Sequence, residues 1–383
     1  MDFELSDKQK TLQNRVREFC SEHCSGNLVE NIETNNEFPK DLYSQLTKSG
    51  LLAYSIPESL GGEGGGVLNI VLITEELAKY SGTLVNMYLV NAVFSGTLIQ
   101  LAGSESQREE KISKLCSGEL RFAFALTEAN AGSDASAIAT TAHQTEQGWE
   151  LSGAKRYTTG ANDADEIMVV ARTDLEGSPS QSMSVFFVPT KSDGLIISPM
   201  NKIAGNSFAT CELVLKKINL PFESVLGHEG GINSAWSKLR KTGGIERICV
   251  AAVSVGLAKS IFKDTLNHCQ QREQFGQKIG KFQAVSHRLA DMATSIEAMQ
   301  LLTYSAAAKA DLNLDAGKEI SMAKVFAAEN VNKLVLDGLH LLGGTGFLSE
   351  TNMTRYQREA LLCLYAGGTT EIQKNLISRY LEL

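Results

Sequence analysis

"GWELSGAKRYTTG", Gly148–Gly160, is the stretch that decides the fold. It is rich in β-type residues and is bounded by glycines, and it has company. "RFAFALT", "EIMVVART", "MSVFFVPT" and "CELVLKKINLP" repeat the same texture between Arg121 and Leu226. Several short strands at this spacing predict a compact β-domain. On either side the pattern changes to apolar residues three and four apart, in "TLQNRVREFC" and "LYSQLTKSGLLAY" before it. The same spacing follows it in "IERICVAAVSVGLAKSIFKDTLNHCQQ", "FQAVSHRLADMATSIEAMQLLTYSAAAKADL" and "ISMAKVFAAENVNKLVLDGLHLL", with a last helix from about Thr370.

The order is helices, strands, helices, which predicts an α+β, mainly α chain. Its expected domains are an N-terminal helical domain (1–120), a middle β-domain (121–226) and a C-terminal four-helix bundle (227–383). Without βαβ alternation there is no Rossmann-type sheet. "GGTGFL" at Gly343 follows a helix, and its glycine spacing is wrong for a dinucleotide fingerprint. The glycine-rich "SIPESLGGEGGG" reads as a loop within the N-terminal helices.

The chain has 383 residues and is 43% hydrophobic, enough for two or three structural units. A net charge of −8 and the lack of a dense Lys/Arg block give no footprint for nucleic acid or an anionic membrane surface. No uninterrupted apolar run approaches the ~20 residues of a span. The N-terminal "MDFELSDKQK" shows no leader, so a cytoplasmic location is expected. The seven cysteines are scattered and odd in number, as free thiols would be. "CSEHC" puts Cys20, His23 and Cys24 at helical spacing, but no fourth ligand is visible; an amphipathic helix surface is expected there and no metal site.

The motifs go further. "ALTEANAGSDASA", Ala125–Ala137, resembles the first signature of the acyl-CoA dehydrogenase family at every constrained position. The resemblance implies FAD held along Phe124, Ala125, Leu126, Thr127, Gly132 and Ser133, with Ser133 also near the substrate's pantetheine. "KRYTTG" stands where the family carries an aromatic residue and a threonine. It implies that Tyr157 stacks on the flavin ring, that Thr158 lies beside it, and that Thr159 donates toward flavin N5. "QREQFGQKIGKFQ" is similar to a further hallmark, with Arg272, Phe275 and Gln283 implied to bind the cofactor, Arg272 and Gln283 by reaching the FAD of a neighbouring subunit. A guanidinium suits a pyrophosphate. "LLGGTGFLSETNMTRYQRE" resembles the second signature through Gly343 and Gly344, but His340 replaces the usual acidic or amide residue at its start. "GGTTEIQ" then supplies Thr369 and Glu371 for the adenine side of FAD, and Gly368 beside the substrate.

An acyl thioester's α-proton needs a base, and the developing negative charge on its carbonyl oxygen needs a donor. In the family a glutamate near the C-terminus usually serves as base. Here that position is Gly367, which keeps the backbone N–H for the carbonyl but has no carboxylate. Relatives resembling isovaleryl-CoA dehydrogenase place the glutamate more than a hundred residues earlier, as a Glu-Arg pair opening an apolar helix. "GGIERICVAAVSVGLA" carries Glu246 and Arg247 at that place, so Glu246 is the expected base and Arg247 an expected substrate neighbour. Without a Cβ, Gly367 would also leave room for a branched or bulky acyl region. Gly244 stands where some relatives have an aspartate that helps hold the CoA portion. The nearby Lys238, Arg240 and Lys241 suit a CoA phosphate or an acidic carrier protein as well as they suit a solvated face.

The implied reaction is FAD-dependent α,β-dehydrogenation of an acyl-CoA thioester, in a homotetramer or at least a dimer that passes electrons to an electron-transferring flavoprotein. Three alternatives stay open: an acyl or aminoacyl group on a carrier protein, an enoyl-CoA reductase resembling crotonobetainyl-CoA reductase, and a flavin-binding scaffold without turnover.

Overall fold

The computed structural model describes residues 4–24, 27–34 and 36–383. In chain order the helices before the sheet are α1 (Asp7–His23), α2 (Asn27–Thr34), α3 (Lys40–Lys48), α4 (Val67–Ala78) and α5 (Gly82–Tyr88), then α6 (Gly96–Ala102) and α7 (Glu105–Ser117). A π-helical segment, Leu89–Ser95, joins α5 to α6. The strands are β1 (Phe122–Ala125), β2 (Thr141–Thr145), β3 (Gly148–Thr159), β4 (Glu166–Arg172), β5 (Met183–Pro189), β6 (Leu195–Met200) and β7 (Thr210–Leu220). After them come α8 (Ala235–Gln271), the short pair β8 (Glu273–Gln274) and β9 (Gln277–Lys278), α9 (Gln283–Asp311), α10 (Gly317–Leu342), α11 (Met353–Leu362) and α12 (Thr370–Tyr380). The expected architecture of helical domain, β-domain and helical bundle is present.

By contacts the chain forms two compact units. The sheet unit comprises residues 22–66 and 86–246. Its seven strands run β1-β4-β2-β3-β7-β6, with β5 on the other edge of β4. "EIMVVAR" and "MSVFFVP" are apolar almost throughout because β4 and β5 are buried on both faces. On β4, Ile167, Val169 and Ala171 share one cluster with Leu151, Phe186 and Leu213. Met168 and Val170 point the other way, into a cluster with Ile99, Ile112, Leu115 and Leu239 from the helices of the same unit. A one-residue slip of β4 would exchange the two sets, so packing on both faces fixes its register.

The helical unit comprises residues 1–21, 67–85 and 247–383. Its centre holds a charge network that the apolar "VLNIVLITEELAKY" does not advertise. Glu75 and Glu76 on α4 are fully buried. Lys259 on α8 (2.5 Å) and the Tyr304 hydroxyl on α9 (2.8 Å) both donate to Glu75. Arg17 on α1 (2.8 Å) and Lys79 (2.7 Å) pair with Glu76. Buried carboxylates require such partners, and here the partners tie four helices together.

Two expectations change. The run Gly82–Ala102 is long and apolar enough to cross a bilayer, although the sequence reading finds none; 78% of its window is buried inside the protein, as in a core helix. Cys20 and Cys24 are buried rather than placed on an exposed helix surface. None of the seven cysteines is in a disulfide.

Candidate active site

The sheet unit presents the first half of the predicted site. Along one edge of β4, β1 pairs with residues 166–169 and β2 begins at Arg172, so the signature loop leaves the sheet after Ala125 and returns at Thr141. Phe124 and Ala125 belong to β1, and Leu126 and Thr127 start the loop. The tip is exposed at Gly132 and Ser133, and a Cβ built on Gly132 meets nothing within 4 Å. The backbone there is open to an approaching ligand.

Both ends of this loop are tied to buried groups. The Thr127 carbonyl accepts from the Arg156 amide at 2.8 Å. Lys155 Nζ donates to the Leu126 carbonyl (2.9 Å) and to Glu128 Oε1 (2.8 Å). The Glu128 carboxylate also accepts from the amides of Ala139 (2.7 Å) and Thr140 (3.0 Å) and from the Thr140 hydroxyl (2.6 Å). Burial pushes the Lys155 ammonium down to about 8, against the pull of Glu128. Burial also acts to raise Glu128, but Lys155, Thr140 and the Ala139 amide outweigh it and hold the carboxyl below its usual range. Neither residue is among those expected at the site. The sequence signal was the acid inside the signature, which reads as one more loop polar group until its partner on β3 is known.

Tyr157 emerges from a register shift in the β3–β7 pairing, between Lys155 and Thr158. Its φ is 60°, an uncommon conformation for an aromatic residue, and the residue is 58% exposed. The Arg156 guanidinium sits over the ring, 5.3 Å from its centroid, and pairs with Glu212 at 2.9 Å. A flat ring backed on one side by a cation is a platform for a second flat system. Thr159 reaches the Thr210 hydroxyl at 3.0 Å, while the Thr158 hydroxyl is fully buried without a partner among the described residues. Thr158 therefore turns inward, away from the exposed side of Tyr157.

Glu246 departs from the expected placement. The Glu-Arg pair does not open its helix: α8 starts at Ala235 and runs unbroken past Gly243 and Gly244, so Glu246 lies about three turns inside. Upstream of the glycines, Thr242 bonds the carbonyls of Lys238 and Leu239 at 3.3 Å each. The helix dipole, which acts within the first turn, therefore gives no reason for an acid at Glu246. Glu246 and Arg247 are both half-buried. Arg240 and Lys241 are exposed, and Lys238 is half-buried.

The helical unit presents the remaining residues. Arg272 follows α8, and "QREQFGQK" forms a β-hairpin, with Phe275 (φ 51°) and Gly276 (φ 77°) as its two turn residues. Two positive φ values define a type I′ turn, which an aromatic residue seldom enters. Phe275 is 95% exposed at this tip. Arg272 and Gln283 are also exposed, as is His340 on the last turn of α10. The amide of Gly343 caps that helix on the His340 carbonyl, and a Cβ on Gly343 or Gly344 meets nothing within 4 Å. Further on, Gly367 (φ 66°) and Gly368 (φ 93°) form a left-handed turn whose carbonyls both accept from buried Gln373, at 3.2 Å. Buried Lys324 holds the Leu364 carbonyl at 3.0 Å. Thr369 caps α12 by accepting from the Ile372 amide, and Glu371 accepts from Thr370 at 3.0 Å. Among the described residues no group of three His, Cys, Asp or Glu is arranged for a metal.

The match to known proteins covers the chain from end to end. Residues 6–119 match "Acyl-CoA dehydrogenase, N-terminal domain", residues 123–218 the middle domain, and residues 233–382 the C-terminal domain. The chain belongs to the acyl-CoA dehydrogenase family. It is similar to the caffeyl-CoA reductase-Etf complex subunit CarC of Acetobacterium woodii, at 33% identity over 98% of both chains. It is also similar to the mitochondrial isovaleryl-CoA dehydrogenase of Pongo abelii, at 32% identity over 98% of this chain and 89% of the relative. The solved butyryl-CoA dehydrogenase of Megasphaera elsdenii superimposes with a TM-score of 0.94 over the full length of both chains, at 30% identity. This acyl-CoA dehydrogenase family member is an oxidoreductase, and its cofactor is FAD. Each unit taken by itself, the residues present fit that cofactor: the sheet unit offers open backbone at Gly132 in the signature loop and the exposed Tyr157, and the helical unit an exposed Arg272, whose guanidinium suits a phosphate.

Proposed function

We propose that this chain catalyses α,β-dehydrogenation of an acyl-CoA thioester, with Glu246 removing the α-proton and the Gly367 amide donating to the thioester carbonyl. Bound FAD supplies the hydride acceptor, flavin N5. Thr127, Gly132 and Ser133 line the cofactor in this reading, as do Tyr157 and Thr159. Arg272 and Gln283 reach the FAD of a neighbouring subunit in a cytoplasmic homotetramer, Thr369 and Glu371 grip its adenine side across the interface, and Phe275, His340, Gly343 and Gly344 also attend the cofactor. Ser133, Arg247 and Gly368 attend the substrate.

One observation carries the choice of base. The family's usual base position is filled by Gly367 in a left-handed turn, while an acid stands at Glu246 without the helix-end position that would explain it electrostatically. A positioned base is worth ~100- to 10,000-fold in rate. Anaerobic mixing of the yellow holoenzyme with a panel of acyl-CoA thioesters tests the reading. Bleaching of the flavin's visible band by wild type, with Glu246→Gln slower by that factor at equal FAD content, is the expected result. Equal rates in the two proteins would remove Glu246 from the mechanism.

A second reading has the physiological direction reversed, as an enoyl-CoA reduction fed by an electron-transferring flavoprotein. The name of the similar Acetobacterium protein favours it, since that relative is a reductase subunit in an Etf complex. The same two residues would serve, with Glu246 protonating the α-carbon, by microscopic reversibility.

A further inference from the structure

The loop Leu126–Thr140 is closed at both ends by a single ammonium and a single carboxylate. Lys155 is a β3 residue whose side chain is 0% exposed, and that of Glu128 is 11% exposed. Lys155 binds the carbonyl at the loop's exit from β1. Glu128 binds two successive amides and a hydroxyl at its return to β2. The 2.8 Å ion pair between them links the two ends. A carboxylate offers about four acceptor sites on two oxygens, so one side chain can meet three loop donors and still face the ammonium. Between the ends, Glu128 and Ala131 exchange backbone bonds at 3.1 and 3.2 Å, and the tip at Gly132 and Ser133 is exposed. The frame is internally bonded, and its tip is left for something else.

We propose that Glu128 and Lys155 are positioning residues for FAD, a buried clasp that fixes the span of the loop so that its amides and hydroxyls are set before the cofactor arrives. The inference rests on the reading that this loop faces the flavin. Neither side chain touches the cofactor. Their effect is exerted through the loop, whose ordering would otherwise have to be completed on binding.

The test uses apoprotein made from the full chain, with FAD affinity and release followed by flavin fluorescence. Glu128→Gln and Lys155→Met are each expected to weaken FAD roughly 10- to 100-fold, mainly through faster release. The double variant is expected to be no worse than the weaker-binding single, because the two groups act as one unit. Gly132→Leu, which fills the open backbone at the tip, serves as the control for the loop itself. If Gly132→Leu weakens FAD and both clasp variants bind as wild type does, the clasp is overturned and the loop assignment survives. If Gly132→Leu also binds normally, the loop assignment falls and the clasp with it. Should the clasp variants not fold, hydrogen exchange on the wild-type apoprotein decides. The Ala139 and Thr140 amides are expected to be protected without FAD, and exchange at the rate of an unstructured loop overturns the proposal.

Discussion

Gly160 follows the last residue of β3, Thr159, and replacing it with alanine is a sharp test of how this end of the strand is built. Its φ is +79°, and its amide donates to the Ala209 carbonyl at 2.7 Å. A Cβ there would lie 2.5 Å from Cζ and 2.7 Å from Cε2 of Phe208, whose ring is buried and rests against Phe38 with centroids 5.8 Å apart. Ordinary carbon contacts are ~3.5–4.0 Å, so the ring would have to withdraw by about 1 Å. Two costs add: about 1 kcal/mol for an L-residue in the left-handed region and ~1–3 kcal/mol for overpacking. Gly61 provides the matched control, with φ +82° and nothing within 4 Å of its Cβ, so Gly61→Ala bears only the first cost. Gly160→Ala should therefore be less stable than Gly61→Ala by ~1–3 kcal/mol in urea unfolding. Intrinsic fluorescence is a suitable probe because both tryptophans, Trp149 and Trp236, lie in the compact unit that holds the two glycines. Phe208 is two residues from Thr210, the partner of Thr159, so Gly160→Ala should also weaken FAD binding while Gly61→Ala leaves it unchanged. Equal stability losses in the two variants, or a larger loss in Gly61→Ala, would refute the steric reasoning.

Other expectations are simpler to check. Thiol labelling of the native protein should mark Cys116 first, because it is half-buried and the other six cysteines are buried; mass mapping of the modified peptide decides this. Burial raises the Cys116 thiol, so its labelling rate should still be climbing at pH 9, and a plateau below pH 8.5 would contradict that environment. Lys155 titrates near 8 in the folded chain against an ordinary 10.5. The folded state therefore binds fewer protons than the unfolded state between those values, and the contribution of Lys155 to stability is lost as pH falls from 10.5 through 8. Relative to Lys155→Met, wild-type apoprotein should gain stability as pH rises across that window; parallel pH profiles for the two would be the contrary result. Truncating the buried carboxylate cluster by Glu75→Ala should cost ~3–5 kcal/mol, because it leaves Lys259 and the Tyr304 hydroxyl without their partner. A loss under 1 kcal/mol in urea unfolding would show that water replaces the carboxylate there.

What could be read from the sequence divides according to the range of the interaction responsible. The β-runs and the helical periodicities are local signals, and the sheet and the long helices formed where those signals lay. The continuity of α8 was misjudged for a local reason as well: the pair Gly243-Gly244 reads as a break, because each glycine costs about 1 kcal/mol relative to alanine inside a helix. Packing outweighs that cost on both sides, through Ala235 and Leu239 before the glycines and Ile248, Cys249 and Val250 after them, all of which are buried. Glu246 thereby acquires a rigid helical mount instead of a frayed end. The hairpin at Phe275 was hidden because its strands are two residues each and wholly polar. Its only sequence mark is the Phe-Gly pair that must adopt positive φ.

The clasp between Glu128 and Lys155 was out of reach for a different reason, one that bears on how such signatures should be interpreted. The acid within "ALTEANAGSD" looks like a group offered to a ligand, and the lysine in "GAKRYTTG" looks like a solvated strand residue. In three dimensions they satisfy each other, and in the proposed reading the ligand is met by the loop's backbone amides, which carry no sequence identity of their own, and by its Ser and Thr hydroxyls. Charge inside a cofactor-binding signature can therefore specify the shape of the loop rather than contact the cofactor. The distinguishing observation is burial: a carboxylate that already meets three loop donors and an ammonium has no free acceptor of consequence left to present.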